Sequence, residues 1–306
     1  MAKDGMKHLF SSVMAAALAL VFSLPALAQE PTPEPAPAQP PRVPVFQRLT
    51  KADADLAVRE WKEAALEPDA LLLPTETEYN DPKQVDALVA AAEALRVAGA
   101  PGIWLEVGVA GQTLQVENAL TAVRFYLKKL PGVRGLVIHW LFPKRLLQGV
   151  APDVWLREFG SLGLPMIVMG DPESIRTITY TGLDWSVLRR IPKVEGIAPD
   201  LYFAFSCFAL DPDQSIEELD ITVVERWLDG LKLESGLPLY PALRLRTPID
   251  RRALTLEEFE SILGMIVKRR PAGVILEPQP ADAKEWPRWR GAFHRILRGN
   301  RPGSPA

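Results

Sequence analysis

The chain of 306 residues contains little of what usually builds metal or redox sites. It has one cysteine, Cys207, and three histidines. A single cysteine cannot form an internal disulfide, so the core must stabilise the fold. The neighbours Phe205, Ser206 and Phe208 predict a buried, inert thiol. No HxH or HExxH spacing occurs, so we expect no metal site.

Motifs that bind phosphates or activate a serine are also missing. The sequence contains no GxSxG, GxGxxG or Walker-type loop, so we expect no cofactor. The net charge is −3, which gives no basic field for nucleic acid. No polybasic patch indicates binding to anionic lipid.

The one long apolar run lies near the amino terminus. Two lysines precede the uncharged stretch Leu9–Leu24, and the small residues Ala26 and Ala28 then precede Gln29. These are the three parts of a secretory signal peptide. The stretch is shorter than the ~20 residues that cross a bilayer, which favours a cleaved signal over a membrane anchor. We therefore expect residues 1–28 to be removed and the protein to be exported, either to the periplasm or as a secreted protein.

Composition divides the rest of the chain into a spacer, a domain and a tail. Residues 29–44 are rich in proline, which predicts an extended spacer that holds the domain off a membrane or a partner. Residues 45–299 are enough for one large core, and residues 300–306 are expected to be disordered. After the signal, no apolar run reaches ~18 residues, so we expect that the mature chain does not span a membrane.

Short apolar runs alternate with longer amphipathic stretches throughout the domain. The predicted strands are Val45–Leu49, Ala70–Leu73, Ile103–Val109, Gly135–Leu141, Met166–Met169, Leu201–Phe208, Leu239–Leu245 and Gly273–Leu276. Helices are expected after each, with starts marked by Asp81-Pro82 and by a capping box at Thr255. Eight strand–helix pairs predict a single (β/α)8 TIM-type barrel. An open doubly wound sheet, the alternative, usually carries a glycine-rich first turn, which is missing here.

The active site of such a barrel lies at the carboxyl ends of its strands. Side chains alternate along a strand, and the continuously apolar parity should face the helices. The other parity then points into the lumen. The residues expected at its upper end are Glu76, Glu78, Glu106, His139, Asp171, Arg244, Arg246 and Glu277, with the aromatic residues Trp104, Trp140 and Tyr202 beside them.

This combination of acids, arginines and flat aromatic faces suits a carbohydrate. Two carboxylates can act as acid and as base or nucleophile at a glycosidic bond. The candidates for this work are Glu76, Glu106, Asp171 and Glu277. Arginines can hold hydroxyls or the carboxylate of an acidic sugar. The candidates for binding substrate are Arg244, Arg246, Trp104, Trp140, Tyr202, His139 and Glu78.

Each candidate also has a purely structural interpretation. Glu106 and Arg244 are explained equally by an ion pair that closes the barrel. Glu76 and Glu78 fit a solvated turn, and Asp171 fits a helix cap. A histidine on a strand, such as His139, is often a satisfied core residue.

The organisation of residues 45–297 resembles the exported TIM-barrel glycoside hydrolases. The segment Leu254–Glu277 looks like the last helix and the eighth strand of such barrels. The resemblance implies hydrolysis of a poly- or oligosaccharide. The largest clan of these enzymes places its carboxylates after strands four and seven, where this chain has His139-Trp140 and Arg244-Leu245-Arg246. The DxxDxDxE strand of chitinase-type barrels is also missing. Two alternatives are therefore a non-catalytic barrel that binds an envelope or secreted glycan or a partner protein, and an exported scaffold without a glycan role.

Overall fold

The structure is a computed structural model that describes residues 42–64, 68–75, 81–110, 113–141, 152–170, 185–201, 221–244, 254–277 and 286–298. The predicted signal peptide, most of the predicted spacer and all of the predicted tail lie outside these ranges. Within them, no helix is both long enough and apolar enough to cross a membrane.

Parallel strands and helices alternate along the described chain, eight of each. The strands are β1 (Val45–Arg48), β2 (Ala70–Pro74), β3 (Gly102–Ala110), β4 (Gly135–Leu141), β5 (Met166–Gly170), β6 (Val194–Pro199), β7 (Ala242–Arg244) and β8 (Val274–Glu277). The helices are α1 (Ala54–Ala64), α2 (Pro82–Val97), α3 (Thr113–Lys129), α4 (Pro152–Gly160), α5 (Trp185–Leu188), α6 (Ile221–Ser235), α7 (Leu256–Lys268) and α8 (Trp286–Leu297).

The strands form one sheet that nearly closes on itself. Their order is β6-β5-β4-β3-β2-β1-β8-β7. Isolated parallel bridges, Ile197 to Leu239 and Asp200 to Ala242, join the two ends of this order. The predicted (β/α)8 TIM-type barrel is confirmed.

Side chains that alternate along the strands pack in two different places, between the strands and the helices or inside the barrel. In β2, Leu71 and Leu73 pack among the residues of the surrounding helices, whereas Leu72 belongs to a smaller inner cluster. That inner cluster fills the lumen and consists of Phe46, Ala70, Leu72, Val137, Ile167, Met169, Ala198, Ala242 and Ile275. In β3, Leu105 packs with the helices and Trp104 packs against the inner cluster, and in β8 Leu276 packs with the helices and Ile275 belongs to the inner cluster. The predicted parity is therefore confirmed for β3 and β8.

Aromatic rings fill the amino-terminal half of the lumen. The rings of Trp104 and Tyr240 each meet the ring of Phe46 edge-on, at centroid distances of 5.3 and 5.6 Å. Glycines make room for them: a Cβ on Gly135 would lie 2.5 Å from the ring of Trp104, and one on Gly196 would lie 2.4 Å from the ring of Tyr240. The polar lumen residues therefore lie at the opposite, carboxyl end of the strands.

Two predicted helix starts are confirmed in atomic detail. The carboxylate of Asp81 accepts a hydrogen bond from the backbone N–H of Lys83 at the start of α2. Thr255 and Glu258 form a reciprocal capping box at the start of α7, each side chain accepting from the other's backbone N–H. These bonds satisfy backbone donors that the first helical turn leaves unpaired.

The predicted position of the sixth strand is wrong. The strand was expected at Leu201–Phe208, but β6 is Val194–Pro199. Glu195, Gly196 and Pro199 hide the strand because they interrupt its apolar run. The barrel nevertheless requires Gly196 at its position, since a Cβ there would lie 2.4 Å from the ring of Tyr240.

Candidate active site at the barrel mouth

Arg48, the last residue of β1, bridges carboxylates from two other strands. Its Nε donates to Oε2 of Glu106 on β3 at 2.6 Å, and its Nη2 donates to Oε1 of the same carboxylate. Its Nη1 donates to Oε2 of Glu277 on β8 at 2.9 Å. One guanidinium group therefore binds Glu106 with two nitrogens and Glu277 with a third.

His139 on β4 completes the same contact group. Its Nδ1 lies 3.3 Å from Nη2 of Arg48 and 3.6 Å from Oε1 of Glu106. Its side chain is 7% exposed. Nε2, on the other side of the ring, is buried and has no hydrogen-bond partner among the residues that the structure describes. A buried polar atom of this kind is uncommon in a folded protein.

Arg244 extends the cluster on the side of β7. It stands opposite Glu277 in the register of β7 and β8, and its Nε lies 2.7 Å from Oε2 of that carboxylate. Its Nη2 lies 3.9 Å from Oδ2 of Asp200, which follows β6 and is 1% exposed. We call the mouth cluster the six residues His139, Glu106, Arg48, Glu277, Arg244 and Asp200.

The mouth cluster is mostly removed from water. Glu106 has 7% of its side chain exposed and Glu277 has 17%. Charges at such depth need compensation, because their loss of hydration costs several kcal/mol per ion. The cluster supplies it by placing each arginine between carboxylates.

Opposing effects act on the ionisation of Glu106. Burial by itself raises the pKa of this carboxyl group, but contact with His139 and with the positive charge of Arg48 outweighs burial and lowers the pKa from 4.5 to about 2. Burial also lowers the pKa of Arg48, and the charge of Glu106 more than reverses this and raises it. Glu106 is therefore an anion and Arg48 a cation at any physiological pH.

Among the described residues, no atom occupies the position that a side chain on Gly108 would take. Gly108 has the same parity on β3 as Glu106 and is paired with His139 in the register of β3 and β4. A Cβ added to Gly108 would have no atom of the described residues within 4 Å. The described residues therefore leave space beside His139, one step closer to the mouth than Glu106.

The structure brings together four of the residues predicted from the sequence, namely Glu106, Glu277, Arg244 and His139. Trp104 faces the lumen as predicted, but its ring packs on Phe46 and Gly135 in the lower half. Trp140 lies on β4, and its side chain is not among those that the structure describes. Glu76, Glu78, Asp171, Tyr202 and Arg246 lie outside the described residues.

The ion pair between Glu106 and Arg244, considered above as a structural alternative, is not formed. Glu106 pairs with Arg48, and Arg244 pairs with Glu277. Arg48 replaces Arg244 as the partner because β1 adjoins β8 and directs Arg48 between the two carboxylates.

Sequence reasoning missed Arg48 and Asp200. The outward residue next to Arg48 is Gln47, which is polar, so apolar parity gives no signal for β1. Gln47 is nevertheless fully buried, and its Nε2 donates to the backbone carbonyl of Glu60 on α1. Asp200 was missed because the sixth strand was placed too late in the chain. Within the described ranges, no group of three or more histidine, cysteine or acidic residues could hold a metal ion.

Comparisons with known proteins show the fold and do not show a family. The chain matches no protein-family model and no curated protein sequence. It is similar to the crystal structure of the spore cortex-lytic enzyme SleL from Bacillus cereus, at 9% sequence identity and a TM-score of 0.55, covering 82% of this chain and 74% of that one. Likeness at this identity shows a shared barrel fold.

Two further solved structures have other functions. A mandelate racemase/muconate lactonizing family protein from Azoarcus sp. EbN1 is 14% identical with a TM-score of 0.48 and covers 80% of this chain, while the chain spans 54% of that protein's length. Dihydropteroate synthase from Thermus thermophilus is 16% identical with a TM-score of 0.45, covering 82% of this chain and 94% of that one.

Proposed function

We propose that the protein is a glycoside hydrolase-like barrel that cleaves a poly- or oligosaccharide with carboxylates at its mouth. The observation that carries the proposal is the convergence of Glu106 and Glu277 on Arg48. This polar centre lies at the carboxyl ends of the strands, where (β/α)8 enzymes perform their chemistry. The fold is compatible with the proposal, since SleL, a spore cortex-lytic enzyme, shares it.

Glu106 has the properties of the ionised carboxylate. With a pKa lowered to about 2 by His139 and Arg48 against the effect of burial, it holds no proton at working pH. An ionised carboxylate next to the sugar ring acts as a nucleophile, or stabilises the positive charge that develops in the transition state. The proposal assigns Glu106 this role and excludes it as the proton donor.

The proton donor is expected elsewhere at the mouth. Glu277 is held through its Oε2 by two guanidinium groups, Arg48 at 2.9 Å and Arg244 at 2.7 Å, which fix the position of this carboxylate between β1 and β7. In the sequence, Asp171 directly follows β5 and Glu76 follows β2 by two residues. The proposal assigns proton donation to one of these two acids and a positioning role to Glu277.

Export of the protein is part of the same proposal. A signal ending at Ala28 and a proline-rich spacer would present the barrel outside the cytoplasm, where polymeric glycans are accessible. Mass spectrometry of the exported protein is expected to find Gln29 at its amino terminus. A mature chain that retains residues 9–24 would contradict this part of the proposal.

An acid-to-amide series tests the catalytic claim. On a panel of neutral and acidic polysaccharides, Glu106→Gln is expected to lower turnover by about 100-fold or more, the usual loss when a carboxylate that takes part in the chemistry is removed. Asp171→Asn and Glu76→Gln identify the proton donor, and Glu277→Gln tests positioning. Circular dichroism confirms that each variant is folded.

The matched control is Glu93→Gln, on the exposed face of α2, where the carboxylate pairs with Arg96 in the next turn. It is expected to retain full activity. Rejection of the hydrolase would follow if all four mouth variants were as active as the control.

The ion pairing itself favours a second candidate, a barrel that binds glycan without cleaving it. Both described carboxylates that were predicted to be catalytic are engaged by arginines, an arrangement that also serves stability alone. This candidate predicts saturable glycan binding and no product. Release of any shortened saccharide from the panel separates the two.

A further inference from the structure

We propose that the open space beside Gly108 is a subsite for an uncharged sugar unit, in which Nε2–H of His139 donates a hydrogen bond to an oxygen of the substrate. The inference rests on the proposed function and names the class of saccharide that it acts on. Three observations support it, namely the space beside Gly108, the Nε2 of His139 without a described partner, and the charges of the mouth cluster.

The space lies within reach of the catalytic carboxylate. Gly108 is two residues beyond Glu106 on the same face of β3, and Gly108 pairs with His139 across to β4. Because Gly108 has no side chain and a Cβ there would meet no described atom within 4 Å, the strand leaves room for a ligand at the step above Glu106. A sugar ring placed there lies on the mouth side of that carboxylate.

The contact between Nδ1 and Arg48 assigns the hydrogen of the ring to Nε2. Arginine only donates hydrogen bonds, so at 3.3 Å from Nη2 of Arg48 a neutral His139 accepts through Nδ1 and carries its hydrogen on Nε2. This donor, in a side chain that is 7% exposed, has no described partner, and a substrate oxygen would satisfy it.

The charges of the mouth cluster favour an uncharged substrate. The cluster contains two guanidinium groups and three carboxylates, and each guanidinium contacts carboxylates within the cluster. An acidic sugar would have to displace these partners and would lie close to the remaining negative charges. A neutral hydroxyl or acetamido oxygen needs only the donor that His139 supplies.

Filling the space tests the subsite without disturbing the fold. Gly108→Val places a β-branched side chain, which suits a strand, where no described atom obstructs it. The affinity for cellohexaose or N-acetylchitohexaose, measured by isothermal titration calorimetry, is expected to fall by about tenfold or more. The urea midpoint is expected to stay unchanged. Gly230→Ala on α6, where an added Cβ likewise meets no described atom within 4 Å, is the control and should bind as the wild type does.

Two substitutions of His139 separate its two nitrogens. The amide nitrogen of glutamine reaches the position of Nε2, whereas that of asparagine reaches the position of Nδ1. His139→Gln is therefore expected to keep the affinity within about threefold, and His139→Asn to lose about tenfold, the value of one hydrogen bond. The reverse order would show that His139 acts only through Arg48 and Glu106, and it would overturn the inference.

The choice of probes distinguishes this inference from the proposed function. Wild-type protein is expected to bind the two neutral hexasaccharides and to bind hexagalacturonate at least about tenfold more weakly. If the wild-type protein cleaves a glycan but Gly108→Val and His139→Asn bind it with unchanged affinity, the subsite alone is overturned. Preference of the wild-type protein for hexagalacturonate also overturns the subsite alone. If the wild-type protein neither binds nor cleaves any glycan, both the subsite and the proposed function are overturned.

Discussion

Arg48 is buried, and its charge is compensated by two carboxylates that come from strands far apart in the chain. Glu277 is 229 residues away and Glu106 is 58 residues away. Removing one member of such a group leaves a charge that is neither hydrated nor paired, which typically costs about 3–5 kcal/mol. Substitutions in the mouth cluster therefore have to be assessed for folding as well as for activity.

Acid is expected to destabilise the protein through Glu106. Burial opposes ionisation of this carboxyl group, but His139 and Arg48 hold its pKa at about 2 in the folded state, against 4.5 ordinarily. A lowered folded-state pKa gives stability that is complete above about pH 4.5 and is lost as the pH falls towards 2. Urea unfolding of the wild type between pH 7 and pH 2.5 is expected to show this loss.

Glu106→Gln is the control for the acid titration, because it carries no titrating group at that position. It is expected to be less stable than the wild type at pH 7, and the difference between the two proteins should shrink below pH 4.5. A difference that stays constant down to pH 2.5 would contradict the lowered pKa of Glu106.

For single residues, the alternation of side chains along a strand predicted which ones lie at the barrel mouth only where the helix-facing side of that strand is apolar. Glu106 and Glu277 could be placed because their neighbours on β3 and β8 are aliphatic and face the helices. Arg48 could not be placed, since Gln47 beside it is polar and its burial depends on a hydrogen bond to the backbone of α1. The partner of a charge depends on which strands adjoin, which local patterns do not encode.

The capping box of α7 is an element whose stability can be tested separately. Thr255→Ala removes the acceptor of the Glu258 backbone N–H and is expected to lower the free energy of unfolding by about 1 kcal/mol. Thr121→Ala on α3 is the control, because the Thr121 hydroxyl only donates to the carbonyl of Glu117 one turn earlier. Urea unfolding measures both, and equal losses would contradict the cap.

Packing between β6 and β7 depends on a glycine. Gly196→Ala puts a Cβ 2.4 Å from the ring of Tyr240, so the ring must shift, and we expect a loss of about 1–3 kcal/mol from overpacking. Gly230→Ala on α6 fills open space and should cost no stability. Thermal unfolding of the two variants compares them, and an unchanged midpoint for Gly196→Ala would show that the ring does not occupy this position.

At the scale of elements, strands with uninterrupted apolar runs were predictable and strands broken by glycine or proline were not. The bounds of β4, Gly135–Leu141, match the prediction. β6 was displaced because Gly196 and Pro199 weaken its signal, although the closeness of Tyr240 requires a glycine there. This requirement comes from a residue 44 positions later and is not visible in the strand itself.

The barrel as a whole was predictable from the count and length of the strand–helix pairs, because this alternation has few compact solutions. The contacts that close it were not, since they are isolated bridges from Ile197 to Leu239 and from Asp200 to Ala242. Function does not follow from the fold, because one fold can host many activities, so the proposed chemistry has to be argued from the mouth cluster.

Side chains from opposite ends of the chain form one coupled unit at the barrel mouth. This coupling can be measured by a double-mutant cycle between Arg48→Met and Glu277→Gln, followed by urea unfolding at pH 7. We expect the double variant to be more stable than the sum of the single losses implies, with a coupling of about 1–3 kcal/mol. Losses that simply add would contradict the contact between Arg48 and Glu277, and with it the site on which the proposed function rests.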